Sequence, residues 1–316
     1  MCVSSILKIG VRLAKNEKIG YDTRKRRSPM ELKHIATRNG RLSTFLKQEL
    51  GLSTGLMNKL KWSEKLYVNG IPRHADFQIA IGDIITADLD EPEPEYPAED
   101  GEFTILYEDD HILVVDKPAG MLIHPSRSRL TGTLANRVLG YYQRTNQKCA
   151  FHPITRLDRD TFGIVLLAKN AHIHGILNQF HSEGKIQKTY HALVFGGPEA
   201  NSGVIDAPIA RRPLPSLLRY VNCNGKPSRT EFTVLERKIG ITKLALRPIT
   251  GRTHQLRVHC SYMGYPILGD PQYGSEASQN MSAELGFSSQ LLCAKSLSFP
   301  HPVTGEKMAL FSQLDV

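Results

Sequence analysis

His152-Pro-Ile-Thr155-Arg156-Leu157-Asp158-Arg159-Asp160-Thr161-Phe162-Gly163, followed by Ile164-Val-Leu-Leu-Ala168 and Lys169-Asn170, is a charged turn that feeds a short apolar run. The run is bounded by glycine on one side and by Lys-Asn on the other, so it reads as a buried strand. A polar turn leaning on a rigid strand can hold one side chain in fixed geometry. Taken alone, Asp158 between Arg156 and Arg159 is a solvated turn residue in an arginine ion pair, a weak and common arrangement. The rest of the chain decides against that reading.

Outward from this stretch, strands are expected at Phe103 to Tyr107, His111 to Asp116, Gly163 to Lys169, Lys188 to Phe195, Thr230 to Arg237, Ile241 to Arg247 and Gln290 to Ser298. Helices are expected at about 131–145, 170–183 and 252–263. Strands outnumber helices and rarely alternate with them. The fold class is therefore α+β, with a mixed, mainly antiparallel sheet and flanking helices. No internal repeat is present.

The chain of 316 residues is long enough for two or three domains, and 41% hydrophobic with 22% charged residues is ordinary for a soluble protein. No apolar run approaches the ~20 residues that span a bilayer. Met1 to Gly10 lacks the long apolar core of a signal peptide. The five cysteines, Cys2, Cys149, Cys223, Cys260 and Cys293, are scattered and form no Cys-x-x-Cys pair, which argues against a disulfide framework or a zinc site and for a reducing cytoplasm. The twelve histidines include no His-Glu-x-x-His. No metal and no membrane contact are expected.

The net charge of +9 is unevenly placed. Residues 1–40 carry ten Lys/Arg against three Asp/Glu, residues 41–90 six of each, and residues 91–100 five acids and no base. Basic end segments and a pI near 9.3 point to a polyanionic partner, most simply RNA or DNA. Residues 1–39 read as a basic, disordered extension. The block Arg24-Lys25-Arg26-Arg27 fits a basic arm for RNA, or a segment ahead of a true start at Met30.

Residues 40–90 form a small module. Leu42, Phe45, Leu46 and Leu50 fall at helical spacing, and Ser53-Thr54 can cap a second helix over 54–62 with Lys59 and Lys61 pointing outward. Leu66-Tyr-Val-Asn69-Gly70-Ile71 is a hairpin signal, and Gly82-Asp83 precedes another strand. This order resembles the S4-like RNA-binding module, in which Lys59 and Lys61 are candidate RNA contacts. Residues 91–101, Glu-Pro-Glu-Pro-Glu-Tyr-Pro-Ala-Glu-Asp-Gly, read as an extended acidic linker, leaving 102–316 as the large domain.

Six blocks in that domain carry a second resemblance. Asp109-Asp-His-Ile-Leu-Val-Val-Asp-Lys-Pro-Ala-Gly-Met-Leu-Ile-His-Pro125, Arg156-Leu-Asp-Arg-Asp-Thr-Phe-Gly163, Lys188-Thr-Tyr190, Gly251-Arg-Thr-His-Gln-Leu-Arg-Val-His259, Pro266-Ile-Leu-Gly-Asp-Pro-Gln-Tyr-Gly274 and Leu297-Ser-Phe-Pro-His-Pro302 occur in this order. Together they resemble the RluA-type RNA pseudouridine synthases. The resemblance implies isomerisation of specific uridines in structured ribosomal or transfer RNA, without cofactor or metal, by a monomer. It places the catalytic aspartate at Asp158, an active-site tyrosine at Tyr190 and a counter-cation at Arg257, since a carboxylate kept ionised in a dry pocket needs a cation beside it. Leu256 is a candidate floor for the base. Arg156, Lys188 and Arg252 are candidate RNA contacts, and His254 is expected to orient local backbone. The uridine must leave its stack to reach Asp158, at a cost of a few kcal/mol.

The chain departs from the family pattern at Thr155, where the family has His, and at Phe162, where it has Ser. Both flank Asp158, so a non-catalytic RNA-binding or ribosome-assembly protein on the same fold is the competing expectation. A zinc nucleobase deaminase would need a Pro-Cys-x-x-Cys signature, which is missing.

Overall fold

The structure, a computed structural model, describes residues 30–52, 54–89, 96–126 and 129–316. The basic segment 1–29, Ser53, residues 90–95 at the start of the Pro/acid stretch and residues 127–128 lie outside these residues.

The small module runs β1 (Met30–Ile35), β2 (Gly40–Arg41), α1 (Leu42–Gln48), α2 (Thr54–Lys61), β3 (Leu66–Val68), β4 (Ile71–Pro72), β5 (Gln78–Ile79) and β6 (Ile84–Leu89). Leu42, Phe45 and Leu46 of α1 and Leu56, Met57 and Leu60 of α2 turn one face inward onto Leu66, Val68, Ile85 and Ala87. Each such large side chain contributes ~1.5–3 kcal/mol on leaving water. The expected hairpin is present: Asn69 (φ 52°) and Gly70 (φ 77°) both take left-handed backbone, the requirement of a two-residue turn between twisted strands.

A strand ahead of the start expected at residue 40, within the stretch expected to be disordered, pairs into the sheet of the module. β1 pairs with β6 from Met30↔Leu89 to Ile35↔Ile84. It is an edge strand, with Lys33, His34 and Ile35 exposed, so backbone hydrogen bonds hold it and no apolar alternation announces it.

The large domain comprises β7 (Thr104–Glu108), β8 (Ile112–Lys117), α3 (Leu134–Arg144), β9 (His152–Pro153), β10 (Phe162–Ala168), α4 (Ala171–Ser182), β11 (Gln187–Phe195), β12 (Ser202–Asp206), β13 (Ile209–Arg211), β14 (Arg219–Val221), β15 (Arg229–Lys238), β16 (Ile241–Pro248), α5 (Gln255–Tyr262), α6 (Glu276–Glu284), β17 (Leu292–Pro300) and β18 (Lys307–Phe311). Its main sheet has the order β12-β15-β16-β11-β17-β10-β8-β7, with β18 on β17 and β9 on β10. Among the described strands only β10 and β17 pair in parallel, so the sheet is mixed and mainly antiparallel. β8 and β10 alternate between two apolar layers. Val114, Ile164 and Leu166 face α4, while Leu113, Val165 and Leu167 face α3.

The stretch 96–101 is no free linker. Tyr96 and Ala98 pack against the α3 layer, Pro97 O accepts from Asn136 Nδ2 at 2.8 Å, and Glu99 N–H donates to Asn136 O at 2.9 Å. Two apolar side chains and two hydrogen bonds outweigh the local like charge.

The parallel contact is very close. Gly163 has φ 106°, and a β-carbon there would lie 2.4 Å from Ala294 O. Gly163→Ala is expected to destabilise the domain by about 3 kcal/mol, combining left-handed strain with backbone overpacking. Urea denaturation checks it, and an unchanged midpoint would contradict this account.

Candidate active site

The loop carrying Asp158 is fastened on both sides. Thr155 is buried and its Oγ1 accepts Leu166 N–H at 3.0 Å, while Ile154 N–H donates to Leu166 O at 2.8 Å. Leu157 packs into the cores on either side. Beyond Asp158, the buried Lys117 ammonium donates to Arg159 O, Met121 O and Pro118 O at 2.8, 2.8 and 2.9 Å. Burial lowers the Lys117 amine to about 8, against the opposing pull of Asp160 and Asp158. One side chain thus ties the turn after β8 to the Asp158 loop.

The arginine that meets Asp158 comes from far along the chain. Arg159 pairs with Asp160 at 2.8 Å and Arg156 is exposed. Arg257 Nη1 lies 3.2 Å from Asp158 Oδ2. The guanidinium is itself held by Asp270, Nε to Oδ2 at 2.7 Å and Nη2 to Oδ1 at 2.8 Å, and Nη2 also donates to Gln272 Oε1 at 2.8 Å. The bidentate fork fixes its plane. Burial works against the charge on Arg257, but Asp270 and then Asp158 outweigh it and hold its pKa above the ordinary value. The Asp158 side chain is 30% exposed while that of Asp270 is fully buried, so one carboxylate is open to a ligand and the other is structural.

α5 brings Arg257 to this point because its first turn is cemented by Gln255. The Gln255 amide accepts from Arg252 N–H and Thr250 Oγ1 and donates to Arg229 O and Thr230 Oγ1. Tyr190 and Leu256 are buried in one core layer, against the loop through Leu157. Tyr190 aligns with Ala294 just past an irregularity at which β17 carries one extra residue, Lys295. Burial raises the Tyr190 phenol well above its usual range and the Asp158 charge adds to this, so it stays protonated.

Of the expected site residues, the structure brings Asp158, Arg257, Tyr190 and Leu256 together. Arg252 is exposed, with its Nε donating to Pro227 O at 3.2 Å. Lys188 is half-buried on β11 near His181, and burial lowers its amine. Lys59 and Lys61 are exposed on α2. Thr155 and Phe162 leave the site standing: the first accepts a strand N–H, and the second enters the parallel pairing with Cys293. Sequence reading missed the roles of Lys117, Asp270, Gln272 and Tyr273. Each lies in a motif block, but nothing in spacing tells a buried carboxylate from a solvated one.

The RNA pseudouridylate synthase family model matches residues 111–262, which includes the Asp158 loop and α5. The uncharacterized RNA pseudouridine synthase YjbO of Bacillus subtilis is 37% identical over 269 residues, covering 84% of this chain and 93% of that one. The chain belongs to the RNA pseudouridylate synthase family. As a pseudouridine synthase it is an isomerase that converts uridine in RNA to pseudouridine. Ribosomal large subunit pseudouridine synthase C of Vibrio cholerae is 33% identical, covering 87% of this chain and 90% of its own. Ribosomal large subunit pseudouridine synthase D of Pseudomonas aeruginosa is 38% identical over 71% of this chain and 72% of its own. Among solved structures, human RNA pseudouridylate synthase domain containing 1 superposes with a TM-score of 0.56 at 28% identity, over 68% of this synthase and 84% of the human chain.

Proposed function

We propose that this synthase isomerises a uridine of ribosomal RNA, with Asp158 as the reacting carboxylate. The observation that carries the reading is the Asp158–Arg257–Asp270 arrangement: an accessible carboxylate held at 3.2 Å by an arginine whose other edge is occupied by a buried one. Such a carboxylate has fixed geometry, a fixed counter-charge and a free oxygen, which nucleophilic attack or proton abstraction requires. In this reading Tyr190 lies against the flipped uracil, an aromatic contact worth ~1–3 kcal/mol, and Leu256 supports it. Arg156 fills the place the base leaves, and Lys188 and Arg252 contact phosphate. The 30–89 module is an RNA-binding unit of the S4 kind that uses Lys59 and Lys61. Ribosomal RNA is supported by the names of the Vibrio and Pseudomonas relatives. The setting proposed is the reducing cytoplasm, in keeping with five scattered cysteines that form no Cys-x-x-Cys pair.

The test is pseudouridine mapping by carbodiimide adducts on ribosomal RNA, from cells with and without the gene, and on ribosomal transcripts incubated with the purified chain. One ribosomal site should vanish with the gene and return with the protein. An unchanged ribosomal map together with unmodified transcripts would overturn the ribosomal assignment.

A further inference from the structure

His254 sits where a side chain is costly. Its backbone is left-handed, φ 57° and ψ 19°, at the residue immediately before α5. A non-glycine residue in that region costs ~1–3 kcal/mol, and such strain persists where surrounding contacts impose it, often beside a functional group. One contact holds the ring here, and a second holds its partner. His254 Nδ1 lies 2.8 Å from Tyr273 Oη, and Tyr273 Oη accepts Arg219 N–H at 3.0 Å. Tyr273 is fixed in turn: its ring lies under the Arg257 guanidinium at 4.9 Å, its N–H donates to Asp270 Oδ1, and its carbonyl accepts from Ser261 Oγ.

A phenol has one proton. With one Tyr273 lone pair taken by Arg219 N–H, and no other acceptor within reach of Oη among the described residues, that proton goes to His254 Nδ1. A neutral imidazole that accepts at Nδ1 carries its hydrogen on Nε2. Nε2 faces Asp158 Oδ2 at 3.9 Å, too far for a direct hydrogen bond, so this N–H is left for something else.

We infer that His254, with its tautomer fixed by Tyr273, is a substrate-contacting hydrogen-bond donor that serves a carbonyl oxygen of the uracil held against Asp158. The inference rests on the pseudouridine synthase reading, and the chemistry gives the donor work by each route open to Asp158. If Asp158 attacks C1′ or removes a proton at C2′, the N1–C1′ bond breaks and its electron pair passes into the uracil ring, onto its carbonyl oxygens. If Asp158 attacks C6, an O–C6 bond forms and the C5=C6 pair passes through C4 to O4. In every case negative charge grows on a uracil oxygen, and a preorganised donor lowers the barrier. The donor is neutral: burial, then the Arg257 and Arg219 charges, depress the His254 imidazole, against Asp158 and Asp270. It can therefore donate without first being protonated.

The experiment uses the full chain with the RNA it modifies. Single-turnover release of tritium from 5-tritiated uridine is read for wild type, His254→Gln, His254→Asn and Tyr273→Phe, alongside RNA affinity, thermal midpoint and the ¹⁵N shifts of His254. Glutamine can place an amide N–H near the Nε2 position, and asparagine places one near Nδ1. The expected result is a loss of ~10²-fold or more in rate for His254→Asn at unchanged RNA affinity, with His254→Gln within about tenfold of wild type. Tyr273→Phe should lower the rate and shift the ¹⁵N signals away from a single Nε2–H tautomer. Wild-type release with His254→Asn equally fast would overturn the inference and leave the enzyme reading intact. An Nδ1–H tautomer in the wild type would overturn it whatever the rates.

Discussion

Asp158→Asn is expected to abolish uridine isomerisation, with a loss of about 10⁴-fold or more, while RNA binding and folding survive. The magnitude is that of removing the reacting group from a constellation that works as a unit. Folding survives because the side chain is partly open to solvent and Arg257 keeps its fork on Asp270 and its bond to Gln272. Asparagine preserves volume and can still lie beside Arg257, so affinity for the RNA should change by no more than about twofold, within the ~0.5 kcal/mol typical of a substitution that breaks no buried contact. The assay is single-turnover tritium release, paired with filter binding of the same RNA. An Asp158→Asn protein that turned over at the wild-type rate would remove Asp158 from the chemistry, and with it the proposed mechanism.

Arg257→Met is expected to be inactive and also markedly less stable. Arg257 neutralises two carboxylates, and Asp270 has no other cation within ion-pair distance among the described residues. Removing one partner of a buried pair leaves a charge stranded in low dielectric, at a cost of ~3–5 kcal/mol. For a domain of this size that is a fall of roughly 10 °C in thermal midpoint. The double variant Arg257→Met/Asp270→Leu removes both buried charges. It should recover most of the midpoint and none of the activity, which separates the structural role from the chemical one. Arg257→Lys keeps the charge but cannot hold Asp270 bidentately while reaching Asp158, so it should lie between. A full-stability, inactive Arg257→Met would show that Asp270 does not depend on the pair.

Much of the fold could be read from the chain because its main strands have strong local patterns. Ile164 to Ala168 is uninterrupted apolar sequence, and it lies buried in the middle of the sheet. Three misses have different physical causes. α6 was not visible because its buried face is Ser278 and Ser282, whose hydroxyls satisfy backbone groups, so it has no apolar stripe. β1 was not visible because an edge strand needs no alternation. Tyr96 and Ala98 sit in a run whose acids and prolines suggest an extended chain, and only the face of α3 reveals that they pack.

The sequence by itself determined which side chains are the candidates for the chemistry. Asp158, Tyr190 and Arg257 stand in ordered motif blocks, and their chemical types fix what each can do wherever the chain carries them. The tertiary structure alone decided their states. That Asp158 is answered by Arg257 rather than by Arg156 or Arg159 depends on a contact across 99 positions. That Arg257 is shared with a buried Asp270, and that His254 meets Tyr273 through Nδ1 while its Nε2 faces Asp158, depend on burial and on which atoms meet. Charge state, tautomer and free valence are set by the distance to a partner, and that distance exists only once the chain has folded.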